Sequence, residues 1–208
     1  MEYKISVLTP SIRPSGLEIT RASLLNQTFK DFEWLTELNW TGKPDLNSAY
    51  NRMLKRAKGE LIVSLQDNIE IAPDVLEKCW AYYQKHPKRF VTFPVSQGEP
   101  DKWDWRNQGE ERMCREMDWE IDFGMAALKP LKEIGGFDEE LEKLTWGYDN
   151  VNVGVRAVMA GYEIWVNPEI KANGLPHERE TFRDKQHAIF HAERLQEIRN
   201  GAKLSPLE

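Results

Sequence analysis

Two acidic residues stand where a carboxylate could do chemistry. Asp67 directly follows an apolar run, Glu60–Leu65, and is flanked by two amides, Gln66 and Asn68. A carboxylate at the end of a buried strand can hold a hard divalent cation, although an aspartate there also commonly forms a turn. Asp149 precedes an apolar helical pattern, where it either caps the helix or acts as a general base.

The histidines are weaker candidates. His177 lies between Pro176 and Glu178 in a loop pattern, where a histidine is either a surface residue or a metal ligand. His187 and His191 are four residues apart and share one face of a predicted helix. No third zinc ligand accompanies them, so solvated helix histidines are the simpler interpretation.

Signature motifs of several enzyme classes are absent. The sequence has no GxxxxGK[ST], no GxGxxG after a strand, no HExxH and no paired CxxC. This argues against P-loop enzymes, dinucleotide-binding Rossmann enzymes and the common zinc enzymes.

Composition predicts one compact globular domain over residues 1–208. The formal net charge of −6 disfavours sequence-independent nucleic-acid binding, which usually needs a basic surface. Two cysteines are too few for a disulfide framework, and Cys79 is expected to be a buried thiol. The N-terminus lacks a signal-peptide pattern, and no apolar run is long enough to span a membrane, so we expect a cytoplasmic protein.

Strand and helix patterns alternate through the first half of the chain. Strands are expected at Lys4–Thr9, Phe32–Leu38, Glu60–Leu65 and Arg89–Val95, and the first helix at Ser15–Gln27. The clearest helix carries one apolar stripe formed by Leu46, Ala49, Tyr50, Met53, Leu54 and Ala57. This alternation predicts an α/β fold whose mostly parallel sheet gathers its ligand-binding residues at the carboxyl ends of the strands.

The second half of the chain does not show this alternation of strand and helix patterns. Ser96–Asp118 predicts a long loop, containing Trp103 and Trp105, that closes on a bound ligand. The elements expected after it are an apolar segment at Glu120–Leu128, a helix at Val151–Ala160, a strand at Tyr162–Asn167 and a charged helix at Thr181–Asn200. We divide the chain into a nucleotide-binding half (about 1–95), an acceptor half (about 96–180) and a C-terminal helix (about 181–200).

Between about Lys4 and His177, several segments resemble family-2-like glycosyltransferases with the Rossmann-like GT-A fold. The segments that carry the resemblance are Ile5–Ser11, Ala57–Glu60, Leu65–Asn68 at the D-x-D position, Ile134–Glu139, and Trp146–Asn150, which is similar to the W-G-x-[ED]-[DN] element. The resemblance implies metal-assisted transfer of a sugar, with inversion, from a nucleotide-diphosphate donor, a UDP-sugar being favoured, to a hydroxyl acceptor. It also implies Mn²⁺ or Mg²⁺ as cofactor.

The resemblance assigns residues to roles. Nucleotide-binding residues would be Thr9, Pro10, Arg13, Glu37, Asn51, Gln66 and Asp67. Asp67 and His177 would hold the metal, and Asp149 would be the catalytic base. Sugar contacts would come from Trp119, Trp146, Gly147 and Asn150.

The sequence also departs from the family pattern. Amides replace both outer acids of the D-x-D element, and Asn150 stands where inverting members often carry their base, so a retaining enzyme stays open. A nucleotidyltransferase is a rival interpretation, although Pro10–Gly16 poorly matches its Gly-rich basic loop. A non-catalytic nucleotide- or carbohydrate-binding domain is another. The acceptor is open among polysaccharide, lipid-linked glycan, protein and a modified DNA base.

Overall fold

A computed structural model describes residues 2–38, 45–98, 102–143, 148–176 and 185–208, without the side chains of Lys185 and His187. The strands are β1 (Tyr3–Ser11), β2 (Phe32–Leu38), β3 (Gly59–Leu65), β4 (Ile69–Ile71), β5 (Arg89–Thr92), β6 (Val95–Gln97), β7 (Arg112–Met113), β8 (Phe123–Ala127), β9 (Glu163–Val166) and β10 (Ala172–Gly174). The α-helices are α1 (Pro14–Leu25), α2 (Leu46–Arg56), α3 (Val75–Lys85), α4 (Leu128–Glu133), α5 (Asp149–Met159) and α6 (Lys185–Arg199). Short 3-10 turns cover Trp105–Asn107, Glu116–Asp118 and Glu139–Lys143.

Seven strands form one large sheet in the order β2-β1-β3-β8-β5-β9-β7. β1, β2, β3, β5 and β9 share one direction, while β8 and β7 run antiparallel to their neighbours. The predicted α/β fold with a mostly parallel sheet is confirmed. A smaller sheet, β4-β10-β6, packs beside it.

Alternating side chains of the central strands fill two cores. Ile5, Val7, Leu61 and Val63 contribute to the core that α1 and α3 cover, which includes Leu24 and Leu76. Leu8 and Ile62 contribute to the opposite core, which α2, α4 and α5 cover. Because both faces are covered, β1 is buried from Ile5 to Ser11, as expected for a central strand of an α/β sheet. Cys79 is confirmed as a buried free cysteine, and its burial raises the pKa of the thiol.

The predicted long loop contains regular structure. Within the described residues of this segment, β6, β7 and two 3-10 turns replace the irregular loop that the sequence suggested. Arg106, in the first 3-10 turn, is buried, and its side chain anchors the segment to the sheet. The segment lacks apolar periodicity because its elements are short and are held in place by polar contacts.

The C-terminal helix α6 packs against α5. Leu195 and Ile198 form a small core with Val155. Past the helix, the backbone N–H of Leu207 donates to the carbonyl of Lys132, 2.9 Å away. No helix in the described part of the chain is long and apolar enough to cross a membrane.

Candidate functional site

The carboxyl ends of β1, β2 and β3 meet at one edge of the large sheet. Ser11 pairs with Leu38 at the end of β1 and β2, and Leu65 at the end of β3 pairs with Phe123. Because β8 is antiparallel, the residues that precede Phe123 reach the same edge. We call the group formed there by Ser11, Arg13, Gln66, Asp67 and Asp122 the strand-end site.

Asp67 is the centre of the strand-end site. It is only 4% exposed and lies directly beyond β3. Its Oδ2 accepts hydrogen bonds from the Ser11 hydroxyl at 2.7 Å and from the Arg13 Nε at 3.3 Å, and its Oδ1 accepts from the Arg13 Nη2 at 3.0 Å. The guanidinium thus binds both carboxylate oxygens, the stronger form of such a pair.

The backbone around Asp67 is held from two sides. Asn68 adopts a left-handed conformation with φ of 59°, which asparagine tolerates better than most residues. Its N–H donates to the Gly16 carbonyl at 3.2 Å, its carbonyl accepts from the Leu175 N–H at 3.0 Å, and its side-chain amide donates to the Leu175 carbonyl at 3.0 Å. A side chain at Gly16 would bring its Cβ within 3.0 Å of the Asp67 Cβ, so the first turn of α1 packs tightly on the acid.

The other predicted nucleotide-binding residues surround this centre. Thr9 is buried and accepts a 2.9 Å hydrogen bond from the Trp34 indole N–H. Pro10 pairs in register with Glu37, whose carboxylate binds Arg52 at 3.0 Å and Arg56 at 2.6 Å. Glu37 therefore lies at the expected edge, inside an ion-pair cluster.

Asn51 has a structural contact in this fold. Its side-chain amide donates to the Phe137 carbonyl and accepts from the Phe137 N–H, both at 2.8 Å. Arg156 also binds this turn through the carbonyls of Ile134 and Gly136. The Ile134–Glu139 segment is thus fixed against α2 and α5, and Asn51 faces that turn.

Asp149 is the first residue of α5 and is 6% exposed. The N-cap position belongs to Tyr148 instead, whose φ of 64° is left-handed. Burial raises the pKa of the nearby Tyr50 hydroxyl, and the negative charges of Asp122, Asp149 and Asp67 raise it further. The next residue, Asn150, contacts Trp119 and Glu120, and the Tyr50 hydroxyl lies 3.2 Å from the Ile121 carbonyl, so the start of α5 lies beside the segment that leads to Asp122.

The two remaining described sugar-contact candidates differ in their surroundings. The Asn150 side chain is half-buried and donates to the Trp119 carbonyl at 2.7 Å and to Glu120 Oε2 at 3.1 Å. Trp119 is 2% exposed, packs edge-on against Phe90 and donates its indole N–H to the Val91 carbonyl at 3.3 Å. The expectation that the Trp119 ring stacks on a sugar is corrected, because that ring is a core side chain. Trp146, Gly147 and His177 lie outside the described residues.

Asp122 and Arg106 are site residues that the sequence analysis missed. Arg106 Nη1 and Nη2 bind the two carboxylate oxygens of Asp122, each at 2.6 Å, and Nη2 also binds Asp104 at 2.6 Å. Burial alone would lower the pKa of Arg106, yet these two acids raise it above its ordinary value. The Asp122 carbonyl accepts from the Gln66 N–H at 2.9 Å, which ties this ion pair to the strand-end site.

The described residues do not fit a divalent metal centre. Across the described ranges, no group of three or more His, Cys, Asp or Glu side chains is arranged to hold a metal ion. Asp67, the one carboxylate of the Gln66–Asn68 turn, is already bound by Ser11 and Arg13. The Mn²⁺ or Mg²⁺ expectation stays a prediction that needs ligands from elsewhere, such as His177.

Comparison with known proteins agrees with this architecture. The family model described as Glycosyl transferase family 2 matches residues 39–136. The fold is similar to that of S. aureus TarS 1–349 in complex with UDP-GlcNAc, with a TM-score of 0.69, 16% identity, and coverage of 94% of this chain and 66% of that one. A second structure of S. aureus TarS 1–349 gives a TM-score of 0.60 and 15% identity, covering 83% of this chain and 60% of that one. Among curated protein sequences, none matches significantly.

These solved structures extend beyond the present chain, which spans just under two thirds of their length. The resemblance seen in the sequence is confirmed by the family match and by the fold. The chain therefore has the GT-A fold and carries, over residues 39–136, the sequence pattern of glycosyl transferase family 2.

Proposed function

We propose that this protein transfers a sugar from a nucleoside-diphosphate donor to a hydroxyl acceptor. The observation that carries the proposal is the placement of Asp67 and Asp122 at one edge of the large sheet, with the start of α5 packed against the segment that leads to Asp122, in a chain that matches the family model over residues 39–136. A UDP-sugar is the first donor to test, because the similar TarS structure was solved with UDP-GlcNAc.

In the proposed reaction, the acceptor oxygen forms a bond to the anomeric carbon of the sugar while the bond from that carbon to the diphosphate oxygen breaks. The acceptor proton passes to Asp149, and the nucleoside diphosphate leaves with the bonding electrons. Asp149 suits the base role because it is a buried carboxylate at the first position of α5. A single displacement of this kind inverts the anomeric centre.

Mn²⁺ or Mg²⁺ stays part of the family expectation, in which it would offset the charge of the leaving diphosphate. Asp67 is the described residue that would hold it, with His177 as a second ligand. The engagement of Asp67 by Arg13 speaks against this arrangement and motivates the inference drawn below.

The direct test needs no knowledge of the acceptor. The protein is incubated with UDP-GlcNAc and other UDP-, GDP-, dTDP- and CDP-sugars, with Mn²⁺ or with EDTA, and release of the nucleoside diphosphate is measured with and without hydroxyl acceptors. We expect release from one nucleotide class, at least as slow hydrolysis, and loss of release in Asp149→Asn.

A non-catalytic nucleotide- or carbohydrate-binding domain is the second candidate. The observation that favours it is that Arg13 already binds the Asp67 carboxylate. Tight binding of one nucleotide without release from any donor would identify that alternative.

A further inference from the structure

We infer that the Arg13 guanidinium is the resident cation of the strand-end site, and that donor binding there does not require a divalent metal ion. The inference rests on the proposed function, because it concerns how the same site neutralises a nucleoside diphosphate. Its basis is the Ser11–Arg13–Asp67 cluster.

The net charge of the Gln66–Asn68 turn favours a monovalent cation over a divalent one. Acids at all three positions would give the turn a charge of −3, whereas the amides at 66 and 68 leave only the −1 of Asp67. Arg13 supplies +1 at 3.0 Å, so the pair is neutral. Adding a divalent ion would leave the cluster at +2 with two cations competing for one carboxylate, which is electrostatically unfavourable.

The geometry of the pair supports the same conclusion. Arg13 Nε and Nη2 bind opposite oxygens of the carboxylate, while the Ser11 hydroxyl binds Oδ2 as well. Ser11 also fixes the backbone of this arginine, because its hydroxyl oxygen accepts a hydrogen bond from the Arg13 N–H at 2.8 Å. A metal ion would have to displace a preorganised bidentate pair.

The pair is also placed to meet a diphosphate. The Arg13 side chain is 33% exposed, whereas that of Asp67 is 6% exposed, so the cationic partner borders solvent and the anionic partner faces the protein. Gly16 brings the first turn of α1, the positive end of a helix dipole, against Asp67. Both features favour an anion on the outer side of Arg13.

The test measures nucleotide binding rather than turnover. UDP, GDP, dTDP and CDP are titrated calorimetrically into the wild-type protein and into Arg13→Gln and Arg13→Lys, in EDTA and in Mn²⁺. Arg21→Gln is the matched control, because Arg21 lies in α1, the helix that follows Arg13, and makes an exposed pair with Glu18. Thermal melting verifies that each variant is folded, and His177→Ala is measured in parallel.

We expect the preferred nucleotide to bind the wild type and Arg21→Gln with the same Kd in EDTA and in Mn²⁺. Arg13→Gln should bind at least about ten-fold more weakly in EDTA, the equivalent of one lost charged hydrogen bond. Mn²⁺ should partly restore its affinity, because Asp67 then lacks its resident cation.

Three outcomes overturn the inference. Wild-type binding that requires Mn²⁺ and falls in His177→Ala would show a metal centre and leave the proposed function intact. Unchanged affinity in both Arg13 variants would remove the arginine from the donor site. No binding of any nucleotide in either condition would refute the proposed donor site itself. If Arg13→Gln does not fold, the wild type decides: equal Kd in EDTA and in Mn²⁺ supports the inference, and binding that requires Mn²⁺ refutes it.

Discussion

Replacing Arg106 with glutamine is expected to destabilise the fold strongly. Arg106 is 3% exposed and binds two carboxylates, Asp104 and Asp122, as well as the Thr92 hydroxyl at 3.0 Å. Removing one partner of a buried ion pair leaves uncompensated charge and typically costs about 3–5 kcal/mol. Because Asp122 is 31% exposed and can be partly rehydrated, we expect the lower end, about 3 kcal/mol.

The assay is reversible urea unfolding followed by tryptophan fluorescence, with Arg115→Gln as the control. Arg115 makes a comparable pair with Asp118 at 2.8 Å, but its side chain is 78% exposed, so its loss should destabilise the fold much less. For a chain of this size, about 3 kcal/mol lowers Tm by roughly 6–12 °C. Equal destabilisation by the two variants would refute the reasoning that burial makes the Arg106 cluster an anchor for the segment before β8.

Three further predictions follow from the same structure. Asp149→Asn should lower turnover of the identified donor by about 10²–10⁴-fold while nucleotide affinity measured calorimetrically stays unchanged, and unchanged turnover would remove Asp149 from the base role. Trp119→Ala should cost about 3–5 kcal/mol in urea unfolding because the ring is buried, whereas Trp105→Ala, 39% exposed, should cost less than about 1 kcal/mol, and the reverse order would contradict the core placement of Trp119. Gly154→Ala should destabilise the fold by at least about 1 kcal/mol, because its Cβ would overlap the Glu116 carbonyl, and a variant as stable as wild type by thermal melting would show that α5 can shift at that contact.

Most of the first half of the fold was predicted from the sequence pattern, and the stripe from Leu46 to Ala57 became α2. β4 was not predicted, and the strand predicted at Arg89–Val95 is divided between β5 and the start of β6. Asp67 was placed correctly at the carboxyl end of a buried strand, because a short apolar run followed by polar residues specifies a strand end with few alternatives.

Strand direction could not be predicted in the same way. The apolar segment before Leu128 fits a buried strand in either direction, since hydrophobicity carries no polarity. β8 is antiparallel, so the residues before it reach the ligand edge, and this placed Asp122 in the site unexpectedly. Arg106 was missed for a related reason: an arginine in a polar segment is usually exposed, and only the tertiary fold buries it between two acids.

The sequence predicted the C-terminal helix only as a charged terminal element. In the structure, Arg194 of α6 binds the buried Asp138 at 2.7 Å, and the His191 ring stacks on Tyr148 at a centroid distance of 4.1 Å. Tyr148 holds the left-handed conformation that immediately precedes Asp149, and such a conformation in a non-glycine residue costs about 1–3 kcal/mol unless its surroundings enforce it. The stack supplies such a constraint. The residue that immediately precedes the proposed base is therefore packed by a helix that contributes none of the assigned site residues.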